Sequence, residues 1–312
     1  MNPLSAIYEA FVNGKNRLYD AGVLRSQRLG GAVISVGNLS VGGSGKTPFV
    51  ILLGQLLQQR GVPFDVLSRG YGRKTRGVLE VDPNGSPEQF GDEPLLIARR
   101  LSCPVFVGES RFHAGLHAEK ESGARLHILD DGFQHRALAR DFDIVLLTPE
   151  DLHDRLLPAG RLREPLSSLK RANSVVITSE MNFTPPASKP LWRIRRSVEI
   201  SNPPNIPFVF CGIARPQKFI EQLQAAGIEP TRTKFYRDHH AYSASDICEL
   251  LALHDRSGAN GFITTEKDEI NLGFHAAALG VTSIARVGME LSDPTVALDT
   301  ILHAISERKP SA

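Results

Sequence analysis

The chain has 312 residues, 41% of them apolar and 22% charged, with a formal net charge of +2. This is an ordinary globular composition, long enough for two domains or one large one, and the small net charge gives no support for nucleic acid as a bulk polyanionic partner. No run of about twenty apolar residues and no signal-peptide pattern is present, so neither a bilayer span nor export is expected, and Cys103, Cys211 and Cys248, scattered without metal spacing, fit the reducing cytosol.

Residues 3–28 carry Leu4, Ile7, Tyr8, Phe11, Leu18 and Val23 near helical spacing, beside Lys15, Arg17, Arg25 and Arg28. On pattern alone this is a helix packed on its own domain; the alternative is a helix lying on an anionic membrane surface. Residues 32–36 form an apolar, partly β-branched run that suits a strand covered on both faces. It leads into Ser40-Val41-Gly42-Gly43-Ser44-Gly45-Lys46-Thr47, whose glycines allow successive N–H groups to turn inward at an anion. Lys46 and Thr47 then fall at a helix start, where unpaired N–H groups and the helix dipole favour phosphate. In a phosphate-binding loop the Lys reaches the terminal phosphates and the Thr hydroxyl binds Mg²⁺. Ser40 stands where the general pattern has glycine.

Beyond the loop, helices are predicted over 49–59, 91–101 and 112–121, and strands over 64–68, 104–107, 126–129, 144–147 and 175–177. Strand–helix alternation of this density predicts a mainly parallel sheet covered by helices, with ligands beyond the carboxyl ends of the strands. Pro185, Pro186, Pro190, Pro203, Pro204 and Pro207 then crowd one segment around a short strand-like run at 191–194, which has linker composition. Strands over 208–211, 233–236, 261–264 and 283–287 follow, with helices over 216–226, 244–253 and 294–307. The expected organisation is α/β throughout: an amphipathic helix in 1–28, a P-loop NTPase-like domain in 29–200 with the linker at its end, and a smaller α/β domain in 201–312.

Three further stretches carry chemistry. The strand 126–129 ends in Asp130-Asp131, the position from which an acidic residue orders Mg²⁺ with the loop Thr; alone, two aspartates before Gly132 would equally cap a turn. Gly91-Asp92-Glu93-Pro94 reads, from its residues alone, as a helix start with Asp92 as the N-cap, and alternatively as a base for an attacking hydroxyl. Arg237-Asp238-His239-His240-Ala241-Tyr242 reads either as a surface turn or as a strand with its two histidines on opposite sides, a poor joint metal site, although one of them is suited to orient a carboxylate. Arg69, Arg73, Arg111, His135, Arg136, Arg161 and Arg163 lie near the same motifs and suit a phosphorylated substrate.

Together, 36–48 with Asp130-Asp131-Gly132-Phe133-Gln134-His135-Arg136 closely resemble the tetraacyldisaccharide 4'-kinase family of the lipid A pathway. Supporting matches are Ser68-Arg69-Gly70-Tyr71-Gly72, Gly91-Asp92-Glu93-Pro94, 157–165, Asp238-His239-His240 and Thr265-Glu266-Lys267-Asp268, so the resemblance spans nearly the whole chain. Ser40 belongs to that family's own form of the loop. The resemblance implies transfer of the γ-phosphate of ATP to the 4'-hydroxyl of a tetraacylated glucosamine disaccharide 1-phosphate, giving lipid IVA, with Mg²⁺ as cofactor. It implies that Gly42, Gly43, Ser44, Gly45, Lys46 and Thr47 hold ATP, that Thr47, Asp130 and Asp131 serve the metal, and that Lys46, Asp92 and His239 are catalytic. His240 is the alternative partner for Asp92. Arg69, Arg111, Arg163 and Glu164 are placed at the substrate rim. An acylated substrate also implies peripheral contact of residues 3–28 with the cytoplasmic side of the inner membrane, without an obligate protein partner. The competing class is a switch-type NTPase, whose guanine-reading Asn/Thr-Lys-x-Asp segment is absent, since 265–268 has the wrong order.

Overall fold

A computed structural model describes residues 3–185 and 189–308; Pro186 of the proline-rich segment lies outside the described residues. The chain opens with α1 (Pro3–Asp20), then passes through irregular backbone to β1 (Ala32–Asn38) and, after the glycine-rich loop, α2 (Lys46–Gln59). The expected helix of 3–28 therefore stops at Asp20, just before Gly22, whose φ of 71° is the left-handed conformation in which helices end. There follow β2 (Asp65–Ser68), the short β3 (Leu79–Glu80), α3 (Pro87–Phe90), α4 (Asp92–Arg100), β4 (Val105–Val107), α5 (Arg111–Glu121), β5 (Leu126–Asp130), β6 (Phe142–Leu146) and β7 (Ser174–Thr178). The linker-like run extends into a full strand, β8 (Leu191–Ile200). The later part comprises β9 (Pro207–Cys211), α6 (Pro216–Ala225), β10 (Arg232–Phe235), α7 (Ala244–Ser257), β11 (Gly261–Thr265), α8 (Glu266–Leu272), β12 (Thr282–Leu291) and α9 (Pro294–Ser306).

Among the described residues these strands form one sheet, ordered β10-β9-β11-β12-β8-β7-β6-β1-β5-β2-β4-β3. Its pairs are parallel except β12 with β8 and β3 with β4. β1, at the centre of the earlier half, is buried at every position, as a strand flanked by neighbours and covered on both faces must be. Parallel pairing of β1, β5 and β2 brings the ends of all three, at Asn38, Asp130 and Ser68, to one edge of the sheet. That edge is where the loop glycines also lie.

β8 bonds in parallel to β7 and antiparallel to β12, so the two halves of the chain share an unbroken hydrogen-bond ladder across the position near residue 200 where the boundary is expected. The last helix returns to the first half: Ala297, Leu298 and Ile301 of α9 are buried in the same core as Ile34, Phe49, Leu53 and Phe142. Burying each such Leu or Ile contributes about 1.5–3 kcal/mol. The described cysteines are all free, Cys211 buried, Cys103 half-buried and Cys248 exposed. Among the described residues no helix is long and apolar enough to cross a membrane.

Candidate active site

The loop between β1 and α2 is built by left-handed glycines: Gly42, Gly43 and Gly45 have φ of 73°, 53° and 89°. Side-chain-bearing residues resist this conformation, and here it turns the chain so that α2 begins at Lys46. Pro48 in the first turn has no N–H to leave unpaired. Lys46 Nζ donates to Asn38 Oδ1 at 3.2 Å and stands 3.6 Å from Asp131 Oδ1. Thr47 and Ser44 are buried beside it, and the Ser44 hydroxyl has no protein partner.

The two aspartates that end β5 are not equivalent. Asp131, at a φ of 49°, turns outward; Arg163 donates to both of its oxygens at 2.7 and 2.9 Å and also reaches Asn38 Oδ1. Burial would raise its carboxyl, but Lys46, Arg163 and Arg111 hold it well below the usual carboxylate range. Asp130 is buried, accepts from Ser68 Oγ at 3.1 Å through Oδ2, and has no partner for Oδ1. Burial, with the charges of Glu93 and Asp131, pushes its carboxyl up to about 7 against the pull of Lys46 and the Ser68 bond. A buried carboxylate oxygen without a partner, together with the buried Thr47 hydroxyl of the loop, offers hard-oxygen donors of the kind Mg²⁺ takes alongside phosphate and water. The residues present therefore fit that ion.

Asp92 is buried at the start of α4. The structure corrects the N-cap reading: the N-cap of α4 is Gly91, whose φ of 90° lets the backbone pass Tyr71 and Gly70, and Asp92 is the first helical residue. Its Oδ1 accepts the Glu93 N–H at 2.9 Å. The carboxylate otherwise serves His239, whose Nδ1 is 2.8 and 3.0 Å from its two oxygens, and Asn271, whose Nδ2 donates at 3.1 Å. Burial would raise Asp92, but the His239 bond, the Lys267 charge and the Asn271 bond together hold it below its ordinary value. His239 moves the other way: burial would lower it, and the bond and charge of Asp92 raise it. Of the two readings of 237–242, the turn is the one found, following β10, with His239 at a φ of 58°. His240 is directed elsewhere, stacking on Tyr236 and bonding Asp246 at 3.2 Å.

Both constellations open on one cavity of about 840 Å³, lined by the loop from Val41 to Pro48, by Asp131 and Arg163, and by His239 and Lys267. The remaining expected rim residues, Arg69, Arg111 and Glu164, are not among its lining residues. Arg111 is buried, with burial and then Arg69 lowering it to about 10 while Asp131 and Asp130 pull the other way. Arg69 faces a separate shallow pocket formed by its own turn, 69–76, with Glu109. Glu164 does not line the cavity; it is buried under α1, bonded by Arg171 at 2.9 and 3.1 Å and by Asn16 at 2.8 Å.

At this site Asn38, Ser68, Arg196, Lys267 and Asn271 have no role assigned from the sequence, although Asn38, Ser68 and Lys267 lie inside matched motifs. Arg196, from β8, donates to the carbonyl of Ser44 in the loop. Lys267 and Asn271 stand four residues apart on one face of α8, a helix absent from the sequence-based assignment. A signal was present, since Thr265 and Asp268 stand three apart right after a strand, the spacing of a helix start. In the structure Thr265 caps α8, and Asp268 is buried, accepting from the Gly212 N–H at 2.7 Å and the Tyr242 hydroxyl at 2.8 Å. Asp268 is therefore engaged internally, while Thr265, Glu266 and Lys267 line the cavity.

A parallel α/β sheet with a glycine loop, an acidic strand end and a carboxylate–imidazole pair around one cavity defines a P-loop phosphotransferase. Comparison with known proteins narrows the class. The family model for tetraacyldisaccharide-1-P 4'-kinase (LpxK) matches residues 1–306. A tetraacyldisaccharide 4'-kinase of Koribacter versatilis is 48% identical, the alignment covering 99% of this chain and 100% of the relative; that of Aquifex aeolicus is 40% identical over 86% and 88%. A crystal structure of LpxK from Aquifex aeolicus in complex with ATP superposes with a TM-score of 0.80 at 34% identity, covering 97% of this chain and 98% of that one. The chain belongs to the tetraacyldisaccharide 4'-kinase family.

Proposed function

We propose that the cavity between the glycine loop and the Asp92–His239 pair transfers the γ-phosphate of ATP to the 4'-hydroxyl of a tetraacylated glucosamine disaccharide 1-phosphate, giving lipid IVA. The observation that carries this reading is a buried carboxylate held by His239, with His239 and Lys267 lining the same cavity as the phosphate loop. The loop N–H groups and Lys46 hold the terminal phosphates in line with the acceptor, and position and charge are most of what phosphoryl transfer requires. Asp92 takes the proton of the 4'-hydroxyl as the new O–P bond forms and the bond to the leaving ADP oxygen breaks. Mg²⁺, held by Asp130 and Thr47 with Asp131 nearby, would neutralise charge on the phosphate oxygens. Arg163, anchored on Asp131, and the buried Arg111 add positive charge where an anionic sugar substrate arrives.

The membrane side of the reading rests on α1. The helix is docked by polar contacts: Ser5 Oγ to Leu156 O at 3.1 Å, Tyr8 OH to Arg163 O at 3.1 Å, and Arg136 to Asn16 O at 3.0 Å. Its apolar residues Ile7 and Phe11 are left 67% and 68% exposed. An apolar helix face bound through its polar side to the rim of the site suits a peripheral enzyme that meets an acylated substrate at the inner membrane's cytoplasmic surface. Phe11→Asp should reduce sedimentation with anionic phospholipid vesicles while leaving transfer to detergent-solubilised substrate intact; unchanged sedimentation would remove α1 from this role.

The direct assay follows radiolabel from the γ-position of ATP into the detergent-solubilised disaccharide lipid. Lys46→Ala should lower transfer by about 10³-fold, the scale of losing one charge-stabilising donor. Free phosphate released with no label in the lipid would overturn the substrate assignment.

A further inference from the structure

Lys267 has no partner in the phosphate-binding half of the site, yet it stands at the centre of the opposite half. Its Nζ is 2.9 Å from Asp238 Oδ1, 3.1 Å from His239 Nε2, 3.8 Å from Asp92 Oδ2 and 3.9 Å from Glu93 Oε1. An ammonium has three N–H donors and no acceptor, so the contact with Nε2 is satisfied only if that nitrogen offers its lone pair.

We infer that Lys267 fixes the tautomer of His239: its ammonium donates to Nε2, which leaves the single ring proton on Nδ1, aimed at Asp92. This deepens, and rests on, the reading of Asp92 as the base. With that tautomer every protein group touching the Asp92 carboxylate is a donor: the Glu93 N–H, His239 Nδ1–H and Asn271 Nδ2–H. The carboxylate stays an acceptor, with its remaining lone-pair capacity available for a hydroxyl proton. The other tautomer would set the Nδ1 lone pair against a carboxylate oxygen at 2.8 Å and an N–H against the ammonium. Lys267 is thus a positioning residue, acting through His239.

The groups facing His239 are Asp92 from α4, Asp238 from its own turn, Lys267 from α8, and the Tyr71 ring, centred 5.1 Å away; Glu93 joins the cluster through Lys267 and Asn271 through Asp92. Glu266, next to Lys267, is occupied by Arg100 at 2.7 and 2.9 Å and leaves the cluster to Lys267 as its cation. The working Asp92–His239 pair carries one negative charge, and protonation of His239 neutralises it. A neighbouring cation favours the charged, working form, so removing that cation makes protonation easier and moves it to higher pH.

The test combines ¹⁵N imidazole NMR with pH–rate profiles. In the wild-type protein, with His239 assigned by its disappearance in His239→Gln, Nδ1 should be protonated and Nε2 not, at pH values above the acid limb. Lys267→Met should move the acid limb of kcat/KM upward by about one pH unit, with KM for ATP unchanged, and Lys267→Arg should return it part of the way. A wild-type spectrum with the proton on Nε2 would overturn the inference, and needs no variant that folds. So would a Lys267→Met profile lowered by one factor at every pH with its limb unmoved, the behaviour of a packing residue. The underlying reading is tested separately: undiminished transfer by Asp92→Asn would remove Asp92 as the base, and Lys267's role with it. Loss of transfer in Asp92→Asn alongside a proton on Nε2 would sink Lys267 alone.

Discussion

Among the described residues two Asp–His pairs of similar geometry differ in their surroundings. Asp65 and His127 sit opposite each other on β2 and β5, 2.7 Å apart, with both side chains fully buried. Asp92 and His239 are 2.8 Å apart, with the histidine side chain 25% exposed. The third group differs. Glu119 stands 3.5 Å from the far nitrogen of His127, and Ser122 Oγ donates to Asp65 at 3.2 Å. Lys267 stands at the far nitrogen of His239, and a cavity opens beside it. An Asp–His contact therefore does not by itself mark a catalytic site. Asp65 begins β2 and His127 lies near the start of β5, while Ser68 and Asp130 at the opposite ends of the same strands face the chemistry. The two pairs thus sit in unlike surroundings, one closed in the core and one beside the cavity.

Mutation separates them. The largest effect is expected at Asp92→Asn, which should lower γ-phosphate transfer about 10³-fold, within the range of a lost general base, with a near-normal Tm. A variant still transferring at a tenth of the wild-type rate would erase the distinction. Asp65→Leu should do the reverse. It leaves a ring nitrogen buried without its partner, costing about 1–3 kcal/mol in denaturant unfolding, while kcat per folded molecule is retained. A lowered kcat in the folded variant would show that the two pairs are coupled through β2 and β5.

The smallest effect is a pH slope. Because His239 is raised in the folded protein, its contribution to stability is complete below the unfolded value of about 6.5 and is lost as pH rises through the folded one. Asp92, being lowered, contributes above the unfolded carboxylate range and loses that contribution as pH falls through its depressed value. Wild-type unfolding free energy should thus decline as pH rises from about 6.5, and Asp92→Asn should flatten the decline. Equal slopes in the two proteins would mean that the pair does not respond to pH in this way.

What the sequence made legible follows from how local each feature is. β1, the glycine loop and α2 are contiguous, so periodicity and glycine placement predict them together, and Asp130-Asp131 follows a strand plainly marked by its apolar run. Asp92 and His239 are 147 residues apart, and neither has a local pattern that names the other. The family resemblance brought them together; periodicity did not. Asp92 read locally as a cap because aspartate before Glu-Pro is a common helix start, and the tertiary contact overrides that preference. The seven residues of α8 were too short for a periodic signal, so Lys267 and Asn271 were missed with it. Of β8 only the strand-like run at 191–194 is legible, because prolines flank it and give the segment linker composition, although none lies inside the strand itself.

The return of α9 to the first half has a consequence for biosynthesis. Leu298 and Ile301 complete a core that includes Phe49 and Leu53 of the helix behind the phosphate loop, yet they follow every strand of the sheet in the chain. A ribosome delivering this protein from its N-terminus exposes the nucleotide-binding half long before the helix that covers it. That half waits with an apolar groove uncovered until translation is nearly finished, an interval in which a holdase chaperone has a binding surface and premature termination leaves an aggregation-prone product.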